Sequence, residues 1–293
     1  MRYYVKKFTV VILLLALLFS CASALSEHDF VNDADAIEEA ANSVFMLEIY
    51  ASNNQKIGVG SGFAAIERGL LFTNYHVIED GAYILAISDD REQYLITKVC
   101  IADKSRDLAI LRFDMDPQVK PLEMDGESEL KRSQAVVAIG SPAGLMNTIS
   151  LGNISGFYQK EGKDWIQFTA PISSGSSGGA LLNDQGHVIG ITTATYASAQ
   201  NINMAVKAKY AIALYKKWDG RTTTALNKTM GIQYPSSVQT VQTGTTTSAT
   251  VYVTASGKKY HNNPTCSKMR SPIAMDMLEA IAQGYEPCGK CYK

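Results

Sequence analysis

Between residues 44 and 196 the chain is cut into short runs rich in Val, Ile, Leu, Phe and Tyr, and Gly, Asn, Asp or Ser stands at most of the breaks. Six runs, at 44–50, 58–66, 70–77, 83–87, 94–101 and 108–113, precede Pro121, and five more, at 135–140, 148–158, 165–170, 179–182 and 188–196, follow it. Segments this short and evenly punctuated read as strands that bury their apolar faces in a sandwich or barrel. Two groups of about six predict an all-β fold of two six-stranded β-barrels. From Asn203 the spacing changes, and Val206, Tyr210, Leu214 and Trp218 recur every fourth residue. That period predicts an amphipathic helix closing the domain. An acidic, Ala-rich stretch at 33–43 predicts a short helix ahead of the first strand.

The flanks carry different signals. Arg2, Lys6 and Lys7 precede an apolar run at 10–19, and Ala22-Ser23-Ala24 follows with small residues at a cleavage-site spacing. Residues 1–24 therefore read as a secretory signal peptide, with an apolar run too short for a comfortable transmembrane helix. Cleavage after Ala24 removes three positive charges and takes the formal net charge from -1 to -4. Leu18-Phe19-Ser20-Cys21 loosely resembles a lipoprotein cleavage box, which would instead anchor the chain to a membrane through a lipid on Cys21. Either route places the protein outside the cytoplasm, secreted or in the cell envelope. Charged residues make up 19% of the chain and form no basic block, so nucleic acid is excluded as an expected partner.

Residues 226–250 are rich in Thr, Ser, Gln and Gly and read as a linker between a domain at 25–225 and a tail at 251–293. The tail contains His261-x4-Cys266 and Cys288-x2-Cys291, one imidazole and three thiols in two pairs. That set suits a tetrahedral structural Zn²⁺, with no coordination position left open for chemistry. Metal binding would stabilise a segment too short to build its own core. The stretch PIAMDMLEAIAQGY predicts a helix between the two pairs. An oxidising compartment favours disulfides instead, in which case Cys288 pairs with Cys291 and Cys266 is free or joined to Cys100. Cys100 itself, in the apolar run KVCIA, reads as a buried core thiol.

Residues 173–191 read SSGSSGGALLNDQGHVIGI. A Ser-Gly run alone reads as a linker, yet this one passes directly into two apolar strands. A serine hydroxyl becomes nucleophilic only when a base takes its proton, and the base needs an acid to orient it. Four histidines lie beyond Ala24: His28, His76, His187 and His261. Of these, His76 sits at a strand end, after LLFTNY, and Asp107 in SRDLAIL leads another apolar strand. Each taken singly reads as a structural residue.

Taken together, TNYHV at 73–77, DLAIL at 107–111 and SGSSGGALLN at 174–183 occur in the order His, Asp, Ser. With GSGF at 60–63, IGSPAG at 139–144 and VIGITTATY followed by INMAVKA, they resemble the trypsin-like serine peptidases of the HtrA/DegP type, over roughly residues 36–218. The resemblance implies two barrels with the active site between them. It implies Ser177 as nucleophile, His76 as general base and then acid, and Asp107 as the orienting carboxylate. The backbone N–H groups of Gly175 and Ser177 would form the oxyanion hole. It further implies protein or peptide substrates, an acyl-enzyme intermediate with no catalytic cofactor, and a homotrimer, although residues 25–43 carry no feature that settles the trimer.

The chain departs from the family pattern at Ser176, where Asn is usual, and at Ala180, where Pro is usual. No PDZ domain of the kind that often follows such peptidases fits after Ala225. The tail instead is similar to Ada-type zinc-binding modules. Thr193, Ala194 and Thr195 would line the substrate groove, and no acidic residue lies at 169–174 to hold a basic side chain. Small or medium apolar side chains are therefore expected before the cleaved bond. The expected function is a serine endopeptidase. The alternative is a non-catalytic or dormant peptidase-like binding protein targeted by its zinc module.

Overall fold

A computed structural model describes residues 29–145, 147–160, 162–195 and 202–226, and in the tail 250–255, 257–266, 269, 271–276, 280, 285–288 and 290–291. The segment read as a signal peptide and most of the segment read as a linker lie outside the described residues.

The chain enters through α1 (Ala34–Ala41), which Asp33 caps by accepting the Ala36 N–H at 3.0 Å. The first unit follows: β1 (Val44–Tyr50), β2 (Lys56–Ala64), β3 (Leu70–Thr73), the one-turn helix α2 (Tyr75–Ile78), β4 (Tyr83–Ile87), β5 (Gln93–Ile96), β6 (Lys98–Asp103) and β7 (Leu108–Arg112). The second unit holds β8 (Ala135–Gly140), β9 (Thr148–Lys160), β10 (Lys163–Phe168), β11 (Ala180–Leu182), β12 (Val188–Thr195) and β13 (Asn203–Lys207). Helix α3 (Ala208–Tyr215) and the short strand β14 (Thr224–Ala225) complete the body.

The second unit closes into a six-stranded barrel in the order β10-β13-β12-β11-β8-β9. Its sixth strand, β13, is the one the sequence pattern assigned to the closing helix. Val206 begins the four-residue repeat, but it pairs with Ile191 on one side and Trp165 on the other. The helix starts two residues later, at Ala208, because β10 and β12 would otherwise leave their facing backbone groups unpaired.

The first unit is an eight-stranded sheet, β14-β6-β7-β3-β2-β1-β4-β5, rather than a closed six-stranded barrel. Strand β5 ends that order and β6 lies next to its other end, beside β14, yet Thr97 alone joins β5 to β6, so the sheet must curl until its ends meet. The corner is fastened by backbone bonds from Leu226 N–H to the Thr97 carbonyl (2.8 Å) and from Asp114 N–H to the Leu95 carbonyl (2.9 Å). Thr97 Oγ1 adds a bond to Asp114 at 2.7 Å. The result is the expected double-barrel class with one barrel left as a curled half.

Period-two alternation sorts the side chains. Phe45, Leu47, Leu71, Ile84 and Leu111 fill the first unit, and Val136, Ile154, Ile166, Phe168 and Leu181 fill the second. Each such burial stabilises by about 1.5–3 kcal/mol. A third cluster, including Phe63, Phe72, Ile110, Ile139 and Ile191, joins β2, β3 and β7 to β8 and β12. That shared core brings the end of β3 and the segment before β11 to a common cleft.

The tail forms two small sheets, β15 (Thr250–Val253) with β17 (Ile273–Asp276), and β16 (Lys259–Tyr260) with β18 (Glu286–Pro287). The stretch expected to be helical thus begins as a strand, because Ile273 to Asp276 pair with Val253 to Thr250. Tyr83, Leu85 and Leu95 point away from the interior that holds Ile84, Ala86 and Ile96, yet they are only 5%, 2% and 2% exposed. Val251, Val253 and Tyr260 of the tail cover them.

Candidate active site

Strand β3 ends at Thr73, and the chain turns through Asn74 into α2, which carries His76 one turn above the sheet. Asp107 stands just before β7 with a positive φ of 57°. The Asn74 side-chain amide donates to the Asp107 carbonyl at 2.9 Å and holds that backbone in place. The Asp107 carboxylate then gathers three donors. The His76 backbone N–H reaches Oδ1 at 2.9 Å, His76 Nδ1 lies 2.8 Å from Oδ2, and Thr193 Oγ1 donates to Oδ2 at 2.9 Å.

Burial of Asp107 opposes its ionisation, but the hydrogen bonds and charge of His76 and the bond from Thr193 outweigh it and hold the carboxyl below the usual carboxylate range. A carboxylate at Nδ1 keeps the imidazole proton there and leaves the Nε2 lone pair available. The imidazole side chain is 45% exposed, so it faces the cleft.

Ser177 sits in the loop leading to β11. Gly178 has φ of 88°, and a Cβ there would lie 2.1 Å from the Ser61 carbonyl oxygen, so no larger residue fits the turn. Gly175 also has a positive φ, of 98°. The neighbouring amides are occupied: Ser176 N–H donates to the Ser173 carbonyl, Gly178 N–H to Thr192 and Gly179 N–H to Ser176. The N–H groups of Gly175 and Ser177 have no hydrogen-bond partner among the described residues.

The Ser177 hydroxyl donates to the Thr193 carbonyl at 3.0 Å, and among the described residues no hydrogen bond joins it to the His76 ring. Thr193 therefore links both halves, its hydroxyl on Asp107 and its carbonyl on Ser177. It falls where the β12–β13 register slips between Thr192 and Ala194, a bulge that re-aims one residue out of the ladder. Ala194 and Thr195 end β12, and their side chains lie outside the described residues. Ser176, in the place of the usual Asn, is buried and its hydroxyl accepts the Ser173 N–H at 3.3 Å. Beside Ser176 a cavity of about 10 Å³ is lined by Ile139, Pro142, Pro171 and Ile172 among others, with no charged side chain. Sequence reasoning missed Asn74 and the bond from Thr193 to Asp107, because neither follows from spacing.

In the tail, the ligand atoms of His261, Cys266, Cys288 and Cys291 all lie within 4.8 Å of one another. Cys266 Sγ is 4.0 Å from Cys288 Sγ, and Cys291 Sγ is 3.7 Å from His261 Nδ1. Tetrahedral bonds of about 2.0–2.3 Å place ligand atoms roughly 3.5–3.8 Å apart, close to these two separations, and the four residues could hold a metal ion. A disulfide would need sulfurs about 2 Å apart, and none joins described cysteines. Cys100 packs against the core shared by the two units, remote in sequence from the tail set.

Residues 60–191 match the family model described as "trypsin-like peptidase domain". The chain is 34% identical over 174 residues to anti-sigma-I factor RsgI9 of Acetivibrio thermocellus, covering 59% of this chain and 24% of that protein. It is 35% identical over 173 residues to serine protease HTRA1B of Danio rerio, covering 55% of this chain and 36% of that one. The chain thus spans well under half the length of these relatives. Among solved structures, the HtrA-type protease AlgW with tripeptide superposes with a TM-score of 0.57 at 28% identity, covering 62% of each chain. A serine endoprotease from Yersinia pestis gives 0.57 at 27% identity, over 63% of this chain and 66% of that one.

Proposed function

We propose that this chain, whose likenesses support an HtrA-type serine peptidase, is a serine endopeptidase acting through Ser177, His76 and Asp107. His76 Nε2 takes the Ser177 proton as Oγ attacks the peptide carbonyl carbon, and the charge that forms on the carbonyl oxygen is met by the Gly175 and Ser177 N–H groups. Collapse breaks the C–N bond, and His76 returns the proton to the departing amine. Water, activated by the same imidazole, then hydrolyses the acyl-enzyme and frees Ser177. Asp107 holds the Nδ1 proton and stabilises the imidazolium throughout. The attack requires the Ser177 hydroxyl to leave the Thr193 carbonyl and turn to His76.

The observation that carries this reading is the chain of contacts from His76 through Asp107 and Thr193 to Ser177, beside two unpaired amides. The absence of an acidic residue at 169–174 supports small or medium apolar side chains before the cleaved bond. The tail residues His261, Cys266, Cys288 and Cys291 would hold a structural Zn²⁺ with no role in hydrolysis, since four protein ligands fill its shell. The apolar leader at 1–24 supports work outside the cytoplasm.

One observation favours a second reading, a dormant or binding protein on the same scaffold: the Ser177 hydroxyl rests on Thr193 rather than His76. Labelling with a fluorophosphonate separates the two. Wild type is expected to carry the adduct on Ser177 and Ser177→Ala to carry none. A folded wild type that stays unlabelled would sink the hydrolytic reading in favour of the binding one.

A further inference from the structure

We propose that Ser61 is a positioning residue for the oxyanion loop, a role that rests on the hydrolytic reading above. Ser61 belongs to β2 in the first unit and is fully buried. Its hydroxyl donates to the Gly175 carbonyl at 2.7 Å and accepts the Ser141 N–H at 2.8 Å. Its backbone N–H donates to the Ser177 carbonyl at 2.8 Å. One residue thus holds, by their carbonyls, the two residues whose N–H groups are unpaired. Thr73 Oγ1 secures Ser61 in turn by donating to its carbonyl at 2.7 Å.

The physical need is specific to this loop. Gly175 lacks a side chain and lies at positive φ, so nothing in its own covalent structure fixes the orientation of the peptide groups around it. A buried hydroxyl that both donates and accepts fixes one of them from outside. Gly175 and Ser141 are in the second unit, so the loop's geometry depends on the first unit being docked. Alanine at position 61 would leave the Gly175 carbonyl and the Ser141 N–H without that partner while keeping the backbone bond to Ser177. The fault would fall on charge stabilisation in the transition state, a loss read in kcat and not in KM.

The test compares wild type, Ser61→Ala and Ser61→Thr for fluorophosphonate labelling rate, peptide kcat and KM, and thermal midpoint. Ser61→Ala is expected to label and turn over 10- to 100-fold more slowly with KM within twofold of wild type, and Ser61→Thr, which keeps the hydroxyl, to recover part of the loss. If Ser61→Ala does not fold, Ser61→Cys, close in size and a weak hydrogen-bonder, takes its place with the same expectation. A folded variant that labels at the wild-type rate overturns the proposal. So does a loss shared between kcat and KM that Ser61→Thr fails to relieve. A wild type that does not label at all is a different result, since it removes the hydrolytic reading on which the proposal stands.

Discussion

Thr193 shows how much a single residue can decide. Its hydroxyl and carbonyl face different partners because a bulge takes it out of the β12–β13 ladder, and the sequence could assign it only to the substrate groove. Thr193→Val keeps the shape and removes the bond to Asp107. Hydrogen bonds to charged groups are worth about 1.5–3 kcal/mol, so kcat/KM is expected to fall by at least about tenfold in a peptide assay. The same change has a pH signature. Because the folded-state pKa of Asp107 is lowered, its contribution to stability is present above the unfolded carboxylate's pKa and is lost as pH falls through the lowered value. Removing one of the lowering bonds moves that loss to higher pH, and acid-unfolding midpoints of variant and wild type check it. Cys100 gives a second residue-scale expectation: burial pushes its thiol up to about 12, so it should resist iodoacetamide at pH 8 in the folded protein.

At the scale of elements, the runs at 44–50, 83–87 and 135–140 appear as strands with the bounds the sequence predicts, because turn residues flank them closely and turn chemistry is local. Other elements escaped, and the run at 94–101 is in fact two strands, β5 and β6, that part at Thr97. Val206 fits both a two-residue and a four-residue period, so β13 was absorbed into the helix behind it. The run at 70–77 hides a break, since the chain leaves the sheet at Asn74 to form the turn that carries His76. The loop before β11 is rigid for steric reasons that a substitution can measure. Gly178→Ala would set a Cβ 2.1 Å from the Ser61 carbonyl oxygen at a φ of 88°, so a loss on the order of 3 kcal/mol is expected from strain and overpacking together. Gly144→Ala, at a φ of 78° with open space around it, should cost only about 1 kcal/mol. Urea midpoints of the two variants distinguish them.

At the scale of the molecule, the tail is part of the first unit's surface. Tyr83, Leu85 and Leu95 lie on the outer face of β4 and β5 and would meet solvent without Val251, Val253 and Tyr260. This accounts for the unbroken apolar run YILAI, which alternation alone would leave half polar. If Zn²⁺ holds the tail together, chelation is expected to expose that face and raise the binding of an apolar dye. Cys266, Cys288 and Cys291 would then become alkylated while Cys100 stays protected. Unchanged dye binding after the metal is removed would mean that the tail's apolar contacts suffice.

By itself the sequence determined where strands begin and end across most of the chain, which histidine, aspartate and serine deserved attention, and which four side chains in the tail could share a metal. Those follow from period, turn chemistry and spacing, all of which act within a few residues. Only the tertiary structure decided that the first unit is a curled sheet whose ends meet at Thr97, that the tail lies on its outer face, and that the Ser177 hydroxyl rests on Thr193. Each of these depends on contacts between residues far apart along the chain, and no local pattern records which distant backbone or side chain will fill a given space.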